Sequence, residues 1–222
     1  MSSASEGAPK ATESKPDSDI GLKAFNEIKK LFAELGKGDY IGEDVTQQEH
    51  ALQCGKLATD AGATDEIVLG ALLHDVGHMI GLRTDPDGSN RMGRCGVMNH
   101  ERLGREWLES LGFPLTTVQI VEGHVQAKRY LCWKNPVYHS KLSDASKTTL
   151  TYQGGVMTDA EAKAFETSDL FGSIIKMRSW DEKAKIKGMV VPELDSYENA
   201  IRAVCQRTTE DRERSEKVAS SS

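Results

Sequence analysis

The sequence predicts an all-α fold, and three observations carry that expectation. Between positions 19 and 207 apolar residues recur at spacings of three and four almost throughout, the period of one helix face. Helix-start signatures precede several of these runs. No convincing stretch of alternating apolar and polar residues, the mark of a half-buried strand, interrupts them.

Taken in order, "IGLKAFNEIKKLFAELG" places Leu22, Phe25, Ile28, Leu31, Phe32 and Leu35 on one face, and Gly36 stops it. "TQQEHALQCGKLATDAG" opens on Thr46 and Glu49 as a capping box, so His50 falls just inside a helix. "TDEIVLGALLHDVGHMI" is expected as one helix starting at Thr64, with Asp65 and Glu66 favoured by the dipole of its first turn. A loop rich in Gly, Pro, Asp and Arg follows, then helices over "NHERLGREWLESLG" and, after Pro114, "LTTVQIVEGHVQAKRYL". A second capping box, Thr158 with Glu161, begins "TDAEAKAFET", and "DLFGSIIKMRSWDEKAK" and "LDSYENAIRAVCQR" complete the set.

Residues 1–18 are small, polar and Pro-containing, and the segment 208–222 reads alike; neither can bury enough apolar surface to offset the entropy of ordering. The expectation is a disordered N-terminal tail, one folded domain over 19–207 without internal repeats, and a flexible C-terminal tail. The net charge of −6, with no basic stripe, argues against a nucleic-acid partner. Apolar runs stay short of a membrane span and no leader-like segment stands at the start, so no membrane partner is expected. Cys54, Cys95, Cys132 and Cys205 lie far apart without a CxxC pair, which excludes a zinc ribbon or disulfide framework and fits a reducing, cytoplasmic location.

Four of the six histidines, His50, His74, His100 and His124, fall on four successive predicted helices at intervals of 24, 26 and 24 residues. A helical bundle uses that distribution to aim side chains at a shared metal. Any one of them alone reads more simply as a hydrogen-bonded core histidine. Four in register beside an acid, Asp75, suggest a dinuclear centre in which the short carboxylate bridges two ions. His139 has no such company and reads as a surface or capping residue, while Met79, Trp107 and Trp180 read as core filling.

His50, the pair His74-Asp75 and a late acid resemble the H...HD...D pattern of HD domains, helical bundles built around one or two metals. Asp181 in "MRSWDEKAK" is the best placed late acid, with Asp169 second. His100 and His124 match the extra pair of the dinuclear members. Three flanking stretches resemble more closely the mixed-valent diiron oxygenase branch, and within it the 2-amino-1-hydroxyethylphosphonate dioxygenases that form glycine: "YIGEDVTQQEHALQCGKLA", "HVQAKRYL" and "LSDASKTTLTYQGG". The resemblance runs from Tyr40 to Asp181, about two thirds of the chain.

That resemblance implies two irons, Fe(II) and Fe(III), with molecular oxygen as co-substrate. One iron would take His50, His74, Asp75 and Asp181, the other Asp75, His100 and His124. It implies a small phosphonate substrate contacted by Tyr40, Glu43, His78, Lys128, Ser146, Thr149 and Gln153, with Tyr40, His78 and Lys128 in catalytic roles. Tyr40 would act as a gate that leaves the iron when substrate arrives. Lys128 lies one helical turn beyond His124, on the face where a cation meets a phosphonate anion. Glu43 would pair with an ammonium group at the substrate's far end, and Tyr40 and Tyr152 offer aromatic faces to a methylated one. An upstream 2-oxoglutarate-dependent hydroxylase is an expected partner in the pathway. Three other readings compete: a metal-dependent phosphohydrolase of nucleotides, a polyol oxygenase of the inositol type, and a metal held for structure or sensing alone.

Overall fold

The computed structural model describes residues 19–40 and 42–220; the expected disordered tail, residues 1–18, lies outside them. Among the described residues the chain forms eleven α-helices and one 3-10 turn, with two isolated bridges and no strand. The helices are α1 (Ile20–Leu35), α2 (Gln47–Asp60), α3 (Asp65–Leu73), α4 (Val76–Thr84), α5 (His100–Ser110) and α6 (Leu115–Lys134). Then follow α7 (Pro136–Lys141), α8 (Asp144–Tyr152), α9 (Asp159–Glu166), α10 (Phe171–Lys183), the 3-10 turn Leu194–Tyr197 and α11 (Glu198–Ser220).

Both capping boxes form. Thr46 accepts from the Glu49 backbone N–H while the Glu49 side chain accepts from Thr46, and Thr158 and Glu161 do the same. The apolar face of α1 is buried through Phe25, Ile28, Leu31 and Phe32, and α1 lies against α11. The 20-residue α6 packs on α3, α5 and α10, and α2 packs on α3 and α10, so the helices carrying the histidines are mutual neighbours. Met79 and Trp180 are buried in this core and Trp107 packs against it, in line with their reading as core filling; His139 is exposed.

The run 64–80 is two helices rather than one. At Asp75 the backbone leaves helical geometry (φ −101°, ψ 7°), and α4 starts afresh at Val76. Periodicity could not see this break, because both halves are buried almost all round. Close packing accompanies the turn: a Cβ at Gly77 would lie 1.8 Å from the His100 carbonyl oxygen, so the backbones of α4 and α5 touch where only glycine fits. Helices α7 and α8 also lie outside the periodicity reading; they are short and depend on caps, Asn135 bonding Val137 N–H and Ser143 bonding Ser146 N–H. The segment expected as a C-terminal tail continues α11 to Ser220. Its Glu-, Arg- and Lys-rich composition is helix-forming once Ile201, Val204 and Cys205 anchor the first turns in the core, and residues 210–219 are exposed.

Candidate metal centre and substrate cleft

The break between α3 and α4 lets two adjacent residues face one site: His74 Nε2 lies 3.2 Å from Asp75 Oδ2. His50 comes from α2, His100 starts α5 after Asn99 turns the chain at φ 55°, His124 comes from the middle of α6, and Asp181 from the end of α10. All six expected metal ligands meet. The runner-up acid, Asp169, is exposed and takes no part.

The geometry divides into two halves that share one carboxylate. Asp75 turns Oδ2 to His74 and, at 3.8 Å, to His50. It turns Oδ1 to His100 at 3.4 Å and His124 at 3.3 Å. Asp181 Oδ1 joins the first half, 3.5 Å from His50 and 3.9 Å from His74, while its Oδ2 is held by the Arg178 guanidinium.

The ring orientations test whether metal ions suit this cluster. His50, His74 and His124 each commit Nδ1 to a backbone carbonyl, of Ala184, Ala71 and Val121 at 2.8, 2.9 and 2.6 Å. Their Nε2 atoms therefore turn inward, 3.2 Å apart for His50 and His74 and 3.0 Å apart for His100 and His124. Lone pairs so close to each other and to carboxylate oxygens repel unless positive charge lies among them. Burial, with His74 adjacent, drives the His50 pKa down to about 4, whereas, despite burial, Asp75 and Asp181 raise that of His74, so protons supply only part of that charge. Asp75, although buried, is held well below the usual carboxylate range by His74 and by hydrogen bonding to His100 and His124. Imidazoles fixed from behind by carbonyls, with carboxylates among them, suit a two-metal site. His100 Nδ1 lacks a hydrogen bond and faces Glu101 Oε2 at 3.4 Å, the one ring of the four backed by a carboxylate.

A cleft opens on this centre, and all seven expected substrate residues line it. Tyr40 stacks on the His50 ring at 3.8 Å and donates its hydroxyl to Asp75 Oδ2 at 2.9 Å. The turn that presents it returns the Glu43 N–H to the Tyr40 carbonyl, with Gly42 at φ 74°. His78 stacks on His100 at 3.9 Å and accepts the Val97 N–H on Nδ1 at 3.0 Å. That bond fixes its tautomer: burial, with His100 alongside, keeps the ring neutral, so Nε2 carries the proton.

Lys128 is buried and donates to Thr149 Oγ1 at 2.8 Å; burial, then nearby Arg178, lowers its pKa to about 8. Ser146 and Thr149 stand on α8, whose first turn presents the positive end of its dipole to the same cleft. The Gln153 side-chain oxygen is buried without a partner. Tyr152 is exposed and is not part of the lining.

Four neighbours escaped the sequence reading. Arg178 lies one turn before Asp181, the spacing that could have revealed it. Lys185 pairs with Glu43 at 2.8 Å. Ser143 caps α8 at the rim. Cys54, one turn after His50, brings Sγ within 3.7 Å of His50 Nε2, and burial raises its thiol pKa well above the usual value.

The HD-domain family model matches residues 48–200. The chain is 39% identical over 180 residues to the uncharacterized protein L432 of Acanthamoeba polyphaga mimivirus, covering 81% of each. It is 38% identical over 178 residues to a hydroxymethylphosphonate dioxygenase of Gimesia maris, covering 80% of this chain and 86% of that one. It is also 40% identical over 163 residues to a glycine-betaine-forming [1-hydroxy-2-(trimethylamino)ethyl]phosphonate dioxygenase of Leisingera caerulea, covering 73% and 81%. With this similarity across most of its length, and with the histidines and aspartates of the pattern gathered in one centre, the chain belongs to the HD-domain phosphonate dioxygenase family and is an oxygenase.

Proposed function

We propose that the protein cleaves the carbon–phosphorus bond of a 1-hydroxyphosphonate oxidatively, with 2-amino-1-hydroxyethylphosphonate or an N-methylated relative as substrate. For the primary amine the products are glycine and phosphate: both atoms of one O2 enter the products, the carbon bearing the hydroxyl becomes a carboxylate carbon, and phosphorus leaves as phosphate. Two iron ions in mixed valence, held by His50, His74, Asp75, His100, His124 and Asp181, would supply the oxygen-activating and electron-transfer chemistry.

The observation that carries this reading is that one cleft is lined both by the shared half of the cluster, Asp75, His100 and His124, and by cation and hydroxyl donors fit for a phosphonate. Lys128, oriented by Thr149, supplies a cation with little water around it, where its attraction for an anion is strongest. His78, with its tautomer fixed by Val97, offers an N–H donor to the cleft. Glu43 provides a carboxylate for an ammonium substituent. Tyr40, bonded to Asp75 and stacked on His50, is placed to couple substrate arrival to the metal side of the cleft. A phosphohydrolase reading leaves Tyr40 and Glu43 without a task, and the relatives' names point to oxygen chemistry.

No described helix is long and apolar enough to cross a membrane, and the four cysteines are unpaired, which supports a place in the reducing cytoplasm. The substrate's hydroxyl calls for a preceding hydroxylase, of the 2-oxoglutarate-dependent class. The test is iron-loaded protein incubated with 2-amino-1-hydroxyethylphosphonate with and without oxygen. Phosphate and glycine formed only in oxygen, with ¹⁸O from labelled O2 in the products and an electron paramagnetic resonance signal that shifts on adding substrate, are expected. Phosphate released from nucleotides regardless of oxygen would overturn the proposal.

A further inference from the structure

Lys185 occupies the place where a substrate ammonium would be received. Its Nζ lies 2.8 Å from Glu43 Oε1 and 5.7 Å from the centre of the Tyr40 ring, and all three side chains line the cleft. A carboxylate beside an aromatic face is the chemistry that recognises an ammonium group. The structure fills that pair with the chain's own.

Lys185 is also not a wandering surface lysine. The peptide units around it are fixed from α2: His50 Nδ1 donates to the Ala184 carbonyl at 2.8 Å, and Gln53 bonds both the N–H and the carbonyl of Ile186, at 3.0 and 2.9 Å. The Glu43 and Lys185 side chains are only 22% and 21% exposed. The backbone that carries the lysine is thus held in register with the metal centre, so any displacement of the cation must come from its side chain. It has somewhere to go, because Glu43 and Lys185 also line an adjoining cleft.

Resting on the phosphonate reading above, we infer that Lys185 is a specificity-determining residue, an internal cation that a positively charged substrate substituent must displace from Glu43. With an uncharged substituent Lys185 stays on Glu43 and keeps this end of the cleft electrically balanced around a dianionic ligand. With an ammonium substituent the substrate takes over the carboxylate and Lys185 moves toward the adjoining cleft. The residue therefore sets the ratio of affinities for the two substrate types.

The experiment is calorimetric titration of iron-loaded protein under argon, where binding is read without turnover. The ligands are 2-amino-1-hydroxyethylphosphonate and hydroxymethylphosphonate, and the proteins are wild type, Lys185→Met and Lys185→Gln. Both variants are expected to bind the aminated ligand about tenfold more tightly, the order for one charge-assisted hydrogen bond no longer contested, and hydroxymethylphosphonate more weakly. An unchanged ratio, or equal weakening of both ligands, would overturn the inference and make Lys185 a simple phosphonate contact. Wild-type protein that is folded and iron-loaded yet binds neither ligand would instead overturn the functional reading on which it rests.

Discussion

Arg178 and Asp181 divide one carboxylate between two tasks: the guanidinium holds Oδ2, leaving Oδ1 to face His50 at 3.5 Å. Both residues are buried, and Arg178 is itself fixed by Tyr138 Oη at 3.0 Å and Glu182 at 3.1 Å. Replacing Arg178 by Met leaves a buried carboxylate without its cation, at a cost of about 3 kcal/mol to the metal-free protein. Added Fe(II) or Mn(II) should narrow the loss, because an ion then faces Asp181. Denaturant melts with and without metal check this; equal losses in both would show that Arg178 has no bearing on the centre.

Among the described residues, Asp75 is the only carboxylate that reaches both histidine pairs. Asp75→Asn keeps the shape but removes the shared negative charge, so iron per chain, measured by elemental analysis after loading, should drop by half or more. His139→Ala, at an exposed histidine, should leave the content unchanged.

Lys128→Met should lower kcat/KM for phosphonate roughly 10- to 100-fold, the range for a hydrogen bond to a charged group. Lys128→Arg should not restore it, since Nζ sits in a buried contact with Thr149 that a forked guanidinium does not fit. A fully active arginine variant would mean that any positive charge suffices.

Gly77→Ala should destabilise the protein on the order of 3 kcal/mol, because the new methyl group meets the His100 carbonyl rather than a flexible side chain. Gly62→Ala is the contrast: its Cβ meets nothing within 4 Å, and its cost is limited to the strain of φ 69°. Thermal melts of the two variants should separate them clearly.

Acid stability should follow Glu161. Bonds from the Thr158 backbone, then from Arg129, lower its pKa from the ordinary 4.5 to about 2. A carboxyl with a depressed folded-state pKa contributes stability that is whole above 4.5 and is lost as pH falls from there toward 2. Glu161→Gln should therefore be less stable than wild type at pH 7, and the two should converge near pH 2 in denaturant titrations. A constant gap across that range would assign the loss to packing.

Much of this was legible in the sequence because it was periodic or locally capped. The intervals of 24, 26 and 24 residues between His50, His74, His100 and His124 each cross one helix and one connection, and the flanking motifs placed Tyr40, Glu43 and Lys128 where the cleft holds them. The break at Asp75 was not legible, since an apolar run buried on all sides carries no phase. Arg178 and Lys185 were missed for another reason: a cation next to an acid in a charged helix end reads as solvated until the fold buries it. The helical continuation past Thr208 was hidden because composition alone does not distinguish a polar tail from the exposed end of a helix anchored elsewhere.

His124 and Lys128 stand on one uninterrupted helix, α6, four residues and so about 6 Å of rise apart. That interval cannot stretch without breaking backbone bonds, so the helix acts as a ruler between the metal centre and the anion it faces. On the hydroxyphosphonate reading, a substrate with its phosphorus one carbon further from the hydroxyl would have to span more than this fixed interval. On the same reading, discrimination among substituents falls to Glu43 and Lys185, which stand on other segments of the chain.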